Sequence, residues 1–466
     1  MEVIKIIDIR LIRKQHDEVR SNLMRRHSKD LPDLLDEVVD LDQKRRAKQT
    51  LLDELRSELN IGSKLFGMLK QIGENTINLG DYSPEHVNFI EKYSEGNITD
   101  NTSLSKKALD AIQESLRILS DKVEVEASSA SSIDNELNSK LSMLPNIPLK
   151  SVPDGSDETD NKEVRIWGEP KTTNFTPLPH WEIGTGLNII DFERGVKMSG
   201  SRFYVLKGQG ARLQRSLIQW MLDLHTSEHQ YTEIYPPFVV TENALYGSGQ
   251  LPKFISNIYR DIEDDLWLVP TAEVPLTAMH AEEILSEEQL PINYVAYTPS
   301  FRREKMSAGR DIRGIKRGHQ FDKVELYKYV KPENSLRELE TLVQHAETIL
   351  QKLELPYRVV ELCAGDLGTA AAKTYDIEVW SPGSEEWLEV SSCSTTEDFQ
   401  SRRSNIRYRD KSSKKNVFVH TLNGSGLALP RLVIAILENY QDAEGNVEIP
   451  EIIRKYTGFN TIERAY

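Results

Sequence analysis

A chain of 466 residues, 38% hydrophobic and 28% charged, is too long for one ordinary core and holds no run near the roughly 18 apolar residues of a bilayer span. Its net charge of −15 leaves a nucleic-acid partner open, because phosphate contact needs a local basic surface and not a basic average. Two cysteines, Cys363 and Cys393, form no CxxC pair, which excludes a disulfide framework and a thiolate zinc site and fits a reducing cytoplasm.

The opening segment carries Glu2, Asp8, Asp17 and Glu18 among its basic residues and lacks an apolar h-region, so no secretion or organelle address is expected. From about Val38 to Leu59, and again from Leu109 to Leu144, apolar residues recur at alternating three- and four-residue steps, which predicts two long helices closing as an antiparallel hairpin. In the second, nine of eleven seam positions are apolar, Glu126 and Lys140 being the exceptions. The first keeps Val38, Leu41, Leu52, Leu55 and Leu59 but sets Arg45 and Lys48 on the same seam, so pairing should weaken mid-length. Residues 71–103, rich in Gly, Asn, Asp and Ser, read as the hairpin tip. Apolar spots there at Val87, Phe89, Ile90 and Tyr93 leave two readings open, a small helical knob or a flexible loop.

Pro145 and Pro148 end the second helix, and a domain boundary is placed between 145 and 165. The expected division is a helical arm over 1–150, a polar linker over 151–165 and a larger domain over 166–466. That domain reads as short β-rich runs such as RFYVL, TEIYPPFVV, KVELYKYV and YDIEVW, with helical stretches at 210–229, 334–353 and 430–440. Strands do not alternate regularly with helices, so the expected class is α+β with an antiparallel sheet.

From Thr298 to Val330 a strand delivers Arg302 and Glu304 into a basic, Gly-containing loop and a second strand returns. Strand alternation puts Arg302 and Glu304 on one face, where a guanidinium can hold a phosphate and a carboxylate can accept from an exocyclic amine. Phe321 on the return strand can stack on a base. Downstream, Gly424-Ser425-Gly426-Leu427-Ala428-Leu429-Pro430-Arg431 reads as a loop opening a helix, with Arg431 in its first turn.

FRRE and this second segment resemble motifs 2 and 3 of class II aminoacyl-tRNA synthetases. The resemblance narrows to the seryl-tRNA synthetase family and covers nearly the whole chain. It rests on Thr271-Ala272-Glu273, similar to the family's TxE motif, on EVRIWGEP at 163–170, GSGQLPKF at 247–254 and HQFDKVE at 319–325, and on GDLGTAAAKTYDIEVW at 365–380 and EVSSCSTTEDFQSRRSNIRYR at 389–409.

The resemblance implies a serine–tRNA ligase that activates L-serine with ATP and passes it to the 3′ end of tRNA(Ser), leaving open whether selenocysteine tRNA is also charged. It implies that Thr271, Ala272, Glu273, Glu325 and Ser425 surround the serine. The ATP positions are Arg302, Arg303, Glu304, Phe321, Glu389, Val390, Ser391, Ser392 and Arg431, with Arg302 and Arg431 catalytic and Mg2+ between Glu389, Ser392 and the nucleotide. It implies a cytoplasmic homodimer, with Tyr235-Pro236-Pro237 resembling the interface motif. Basic candidates for tRNA contact are Arg303, Lys305, Arg310, Arg313, Lys316 and Arg317, then Arg402, Arg403, Arg407, Arg409, Lys411, Lys414 and Lys415, with Lys44, Arg45, Arg46 and Lys48 on the arm. Two departures stand out. The tip is longer than the family's, and Gly318 stands where a larger side chain is expected against the nucleotide, which implies looser adenine packing. Competing readings are a ligase paralogue that loads a carrier protein and a coiled-coil scaffold; the first should lack the arm or the ATP motifs, and the second would leave 160–466 without a purpose.

Overall fold

The computed structural model describes residues 8–72, 76–94, 96, 98–99, 105–305 and 313–464. These fall into two compact units, one spanning Asp33–Leu141 and the other joining the residues up to Pro32 with those from Ser142 onward.

The first unit is built on helices α1 (Leu31–Ile72), α2 (Pro84–Tyr93) and α3 (Lys106–Met143). The first outruns its predicted ends because the apolar rhythm continues through Leu35 at one end of α1 and Leu65 and Leu69 at the other, all fully buried, while α3 begins three residues early and stops one short of Leu144. The polar seam positions answer one another. Lys48 reaches Glu126 at 2.5 Å, Arg45 reaches Asp134 at 2.6 Å and Lys140 reaches Glu37 at 2.5 Å. Such half-exposed pairs contribute little stability, about 0–1 kcal/mol each, but each penalises any other register of the two helices.

The knob reading of the tip holds for its described residues. Ser83 caps α2 by accepting from the His86 N–H at 3.3 Å, and Pro84 occupies the first turn, where its missing donor costs nothing. Phe89 and Ile90 then pack with Leu65, Leu69, Ile112 and Leu119. Gly62 makes the space: a Cβ on it would lie 2.3 Å from the Phe89 ring and 2.8 Å from Leu116.

In the second unit, Arg25 and Arg26 tie the N-terminal segment to the stretch that follows α3 and enters the expected linker. Arg25 donates to the carbonyls of Leu149, at 3.1 Å, and Val152, while Arg26 donates to that of Asn146 at 2.8 Å. Leu149 and Val152 add apolar anchors against Val360, Leu362 and Leu367, so this stretch is strapped down.

The centre is an eight-stranded sheet. In chain order its strands are β1 (Lys162–Trp167), β2 (Thr232–Ile234), β3 (Ile292–Phe301), β4 (Gln320–Val330), β5 (Tyr357–Glu361), β6 (Lys373–Ser381), β7 (Glu386–Glu397) and β8 (His420–Ala428). Their spatial order is β1-β5-β6-β7-β8-β4-β3-β2, antiparallel throughout except for the edge pair β2 and β3. This is the expected α+β class.

One face of the sheet presents Val324, Leu326, Val359, Ile377, Leu388 and Leu422 to the main core. That face is covered by α5 (Gln209–Ser227), α6 (Ser335–Lys352) and α7 (Leu429–Asn439), a short α4 (His180–Gly186) preceding them in the chain. The opposite face carries Lys323 and Glu325 of β4, Glu389 and Ser392 of β7 and Asn423 and Ser425 of β8.

Phe89→Ala is expected to destabilise the arm by about 3 kcal/mol through loss of a buried ring and the cavity left behind. Hydrogen exchange in α2 and the adjoining turns of α1 should accelerate while exchange in β4 and β7 stays as in the parent. Gly62→Ala should also destabilise, against the helix-propensity order, because the buried Phe89 ring and Leu116 would both have to give way to the new Cβ.

Candidate active site

On the polar face a cavity of about 340 Å³ is lined by side chains from β4, β7, β8, the start of α7 and the loop between β3 and β4. The register explains which side chains reach it. Along β4 the alternation points Phe321, Lys323 and Glu325 into the cavity and Val324 and Leu326 into the core.

Strand β7 needs an irregularity to do the same. Ser391 pairs with Ile377 while Glu389 pairs with Glu378, so Val390 is an extra residue on one side of the ladder. That insertion shifts the phase and puts Glu389, Ser392 and Ser394 on one face, which a regular strand could not do. Val390 is driven into the main core, and the Ser391 hydroxyl donates to the Ser425 carbonyl at 2.6 Å. Both were implied as nucleotide positions, yet neither side chain lines the cavity. A second insertion lies in β8, where Ser425 faces Glu325 and Ala428 faces Lys323. It keeps Asn423, Ser425 and Ala428 on the cavity side and hands the chain to α7, whose first turn carries Arg431.

At the phosphate-like end, Arg431 Nη1 donates to the Glu389 carbonyl at 2.8 Å and sits 3.0 Å from its carboxylate. Burial works against both charges, but their mutual attraction outweighs it, holding Glu389 below its ordinary range and Arg431 above its own. Beside them burial, reinforced by the Glu389 charge, pushes the Asp376 carboxyl well above the usual range.

Arg302 donates through Nε to the Pro270 carbonyl at 3.2 Å, and its guanidinium carbon lies 5.1 Å from the centre of the Phe321 ring. Burial lowers its pKa, Glu304 pulling in the other direction. Glu304 reaches the cavity by a route alternation did not foresee. β3 ends at Phe301, and Glu304 adopts a left-handed backbone with φ of 48°. Gly318, noted as small, lines the wall with its Cα; a Cβ there would lie 3.1 Å from the Gln320 carbonyl and 3.3 Å from Tyr204, so the position is already filled by neighbours.

At the other end Thr271 donates its hydroxyl to Glu325 at 2.6 Å, and Glu325 also pairs with Lys323. Glu273 accepts from the Gln400 amide at 2.6 Å. Burial, with the Glu325 charge adding to it, pushes Glu273 up to about 7. Thr271 thus orients a carboxylate without lining the cavity, and Ala272 is packed among Leu276, Ala296 and Tyr327. Asn423, Lys323, Ser394, Lys316 and Arg317 line the cavity without having been singled out for it. Asn423 and Lys323 sit at even spacing from Ser425 and Glu325, so strand alternation alone would have found them.

The basic candidates separate by environment. Arg403 is 2% exposed and donates to the carbonyls of Ser142, Tyr246 and Leu251, so it is withdrawn as a phosphate contact. Arg303 donates to the Ile258 carbonyl and stacks 4.3 Å over the Tyr259 ring, outside the cavity. Arg402 pairs with Asp398 at 2.6 Å, Lys411 with Glu288, Lys44 with Asp40 at 2.6 Å and Arg46 with Asp42 at 3.2 Å. Arg310 lies outside the described residues.

The chain matches the family model for the seryl-tRNA synthetase N-terminal domain over residues 6–95, and that for the tRNA synthetase class II core domain (G, H, P, S and T) over residues 254–440. It is 52% identical over 453 residues to the serine–tRNA ligase of Roseiflexus sp. (strain RS-1), covering 97% of this chain and 98% of that protein. It is 49% identical to the serine–tRNA ligase of Dehalococcoides mccartyi (strain CBDB1), covering 98% of this chain and 100% of the relative. Among solved structures, seryl-tRNA synthetase from Pyrococcus horikoshii complexed with ATP superposes with a TM-score of 0.86 at 35% identity, covering 99% of this chain and 100% of that one. The chain belongs to the seryl-tRNA synthetase family of class II aminoacyl-tRNA synthetases.

Proposed function

We propose that the chain is a serine–tRNA ligase whose cavity joins L-serine to ATP and then passes the seryl group to the 3′ end of tRNA(Ser). The observation that carries this reading is the meeting in one cavity of the carboxylates Glu273 and Glu325, held by Gln400 and Thr271, with the guanidiniums of Arg302 and Arg431. A zwitterion with an ammonium group and a polyanion would lie in it head to tail.

In the first step the serine carboxylate oxygen attacks the α-phosphorus and the bond to pyrophosphate breaks. No protein nucleophile is required. Arg302 holds the α-phosphate in line, Arg431 takes charge at the far phosphate, and Lys316 and Arg317 line the same end. Glu304 accepts from the adenine amine, and Phe321 offers its ring to the base.

Glu389 and Ser392 are hard oxygen donors brought to one face by the inserted Val390. A carboxylate and a hydroxyl on one wall suit a Mg2+ that would complete its shell with phosphate oxygens and water. When bound, Mg2+ withdraws negative charge from the phosphoryl oxygens.

Asn423 and Ser425 supply the small polar contacts a serine hydroxyl needs, and a site built to pair that hydroxyl leaves its own groups stranded against alanine. The exposed Tyr235 beside Pro236-Pro237 supports a homodimer with the interface motif at its seam. No helix among the described residues is long and apolar enough to cross a membrane.

The purified chain should catalyse serine-dependent exchange between ATP and pyrophosphate without tRNA, and should load labelled serine onto tRNA(Ser). Arg302→Ala should lower exchange by about 10²-fold or more while the fold persists by circular dichroism. Exchange that ignores serine, or an Arg302→Ala variant as active as the parent, would overturn the reading.

Charge also sets a pH dependence. Glu273, raised to about 7 from 4.5, binds its proton more tightly in the folded chain than in the unfolded one. Its contribution to stability is therefore full below the unfolded value and is lost as pH rises towards 7. Glu273→Gln keeps the acceptor for Gln400 and does not titrate, so its melting temperature relative to the parent should climb between about pH 5 and about pH 8 and then level off. A serine ammonium favours the ionised form, so the parent's KM for serine should fall over the same range, and a flat profile would count against the assignment.

A further inference from the structure

Glu438 is 1% exposed and has been assigned no role above, yet it accepts six hydrogen bonds. Its Oε1 accepts from the His180 N–H at 2.9 Å, from His180 Nδ1 at 3.0 Å and from the Ser384 hydroxyl at 3.2 Å. Its Oε2 accepts from the Ser381 hydroxyl at 2.6 Å and from the N–H groups of Gly383 at 2.9 Å and Ser384 at 3.2 Å. Burial alone would neutralise this carboxyl, but these donors outweigh it and hold its pKa below the ordinary value.

His180, 2% exposed, extends the network by one more bond. The Ile315 N–H donates to its Nε2 at 3.2 Å. Because Nε2 must accept there, the proton sits on Nδ1, where it is donated to Glu438; the surroundings select one neutral tautomer. Gly314, at φ of 75°, lies edge-on to the ring, and a Cβ on it would stand 1.9 Å from Nε2. No larger residue fits between the imidazole and the Ile315 peptide.

What this network joins matters more than its size. Glu438 lies seven residues after Arg431 on α7, so its carboxylate is fixed to the helix that carries that cation. The turn at 381–384 connects β6 to β7, whose Glu386 pairs with Lys316 at 2.8 Å and whose Glu389 pairs with Arg431. Ile315 immediately precedes Lys316 and Arg317 in the cavity wall.

Resting on the proposed ATP site, we propose that His180 is a positioning residue for its phosphate end: the neutral imidazole transmits the fixed location of Glu438 to the Ile315 peptide and so aligns Lys316 and Arg317 with Arg431. His180 touches no substrate. Its effect should appear on ATP and not on serine, whose contacts lie at the opposite end.

The test uses His180→Asn, which keeps a donor for Glu438 but has no acceptor within reach of Ile315, and His180→Gln, whose carbonyl oxygen can take the place of Nε2. In serine-dependent exchange, His180→Asn is expected to lose about five- to tenfold in kcat/KM for ATP, the scale of one buried hydrogen bond, with KM for serine unchanged. His180→Gln should recover most of that loss. Adding Arg317→Ala to His180→Asn should cost less than the product of the two single losses. Ser384→Ala, which removes one donor to Glu438 and leaves the imidazole link, is expected to lower the melting temperature without moving KM for ATP. An unaltered kcat/KM for ATP in His180→Asn, equal losses for ATP and serine, or a loss that tracks the melting temperature across all variants would overturn the proposal. A parent chain with no serine-dependent exchange would instead overturn the functional reading beneath it.

Discussion

One additional residue in β7 decides which side chains a nucleotide would meet. With Val390 taken out of the ladder, the strand crosses the sheet in one phase up to Glu389 and in the other from Ser391 onward. Glu389 and Ser392, three apart, then share a face. The matching irregularity in β8 lets Ser425 and Ala428 do the same before the chain turns into α7. Remove either insertion and half of the polar wall would be turned into the main core, where Leu388, Val390, Leu422 and Leu427 now sit.

Bringing so many charges together in a half-enclosed space is costly unless they neutralise one another. The pairs do this locally. Arg431 and Glu389 each stay ionised against the pull of burial, and Lys323 answers Glu325. Two groups are left to give way: Asp376 and Glu273 both shift upward, towards the neutral form. Each shift lessens the negative charge crowded together there, Asp376 beside the Glu389 carboxylate and Glu273 beside that of Glu325.

Much of this was legible in the sequence because it depended on period and on long motif matches. The helical hairpin followed from apolar steps of three and four, and the antiparallel sheet followed from short runs that did not alternate with helices. Arg302, Glu304, Phe321, Glu325, Glu389, Ser392, Ser425 and Arg431 do converge on one cavity. What was missed traces to events that period cannot see. Val390 and Ser391 were carried over with the motif around them, and the insertion at Val390 turns both side chains from the cavity; the left-handed turn at Glu304 delivered a side chain that a straight strand was credited with delivering. Lys323 and Asn423 were overlooked for the opposite reason, since plain alternation already pointed them inward. The packing of the tip rests on Gly62, a residue whose helix propensity argues against its place until the ring of Phe89 is set beside it.

Arginine shows most clearly why composition under-determines role. Arg403 sits in a run of basic residues that reads as a phosphate-facing patch, whereas its guanidinium is buried and spent on backbone carbonyls. Arg26 is built the same way, donating to the carbonyls of Asn146, Leu367, Gly368 and Ala371. Neither has a carboxylate partner among these bonds, and burial lowers Arg26 to about 9 and Arg403 to about 10. Arg26 directs four N–H groups to oxygens, whereas Arg403 directs three, its Nε finding none, and lays its guanidinium carbon 4.5 Å from the centre of the Phe399 ring and 4.9 Å from that of Tyr246. The carbonyls they collect belong to loops with no ladder of their own, among them Leu251, Gly368 and Ala371, and a neighbouring cavity of about 280 Å³ is walled by Gly249, Gln250 and residues 368–371 as well as by Glu273 and Arg302. Lysine in place of Arg26 would offer three donors from a single point to four carbonyls, leaving a buried oxygen unpaired and the loops beside the active site without a fixed course.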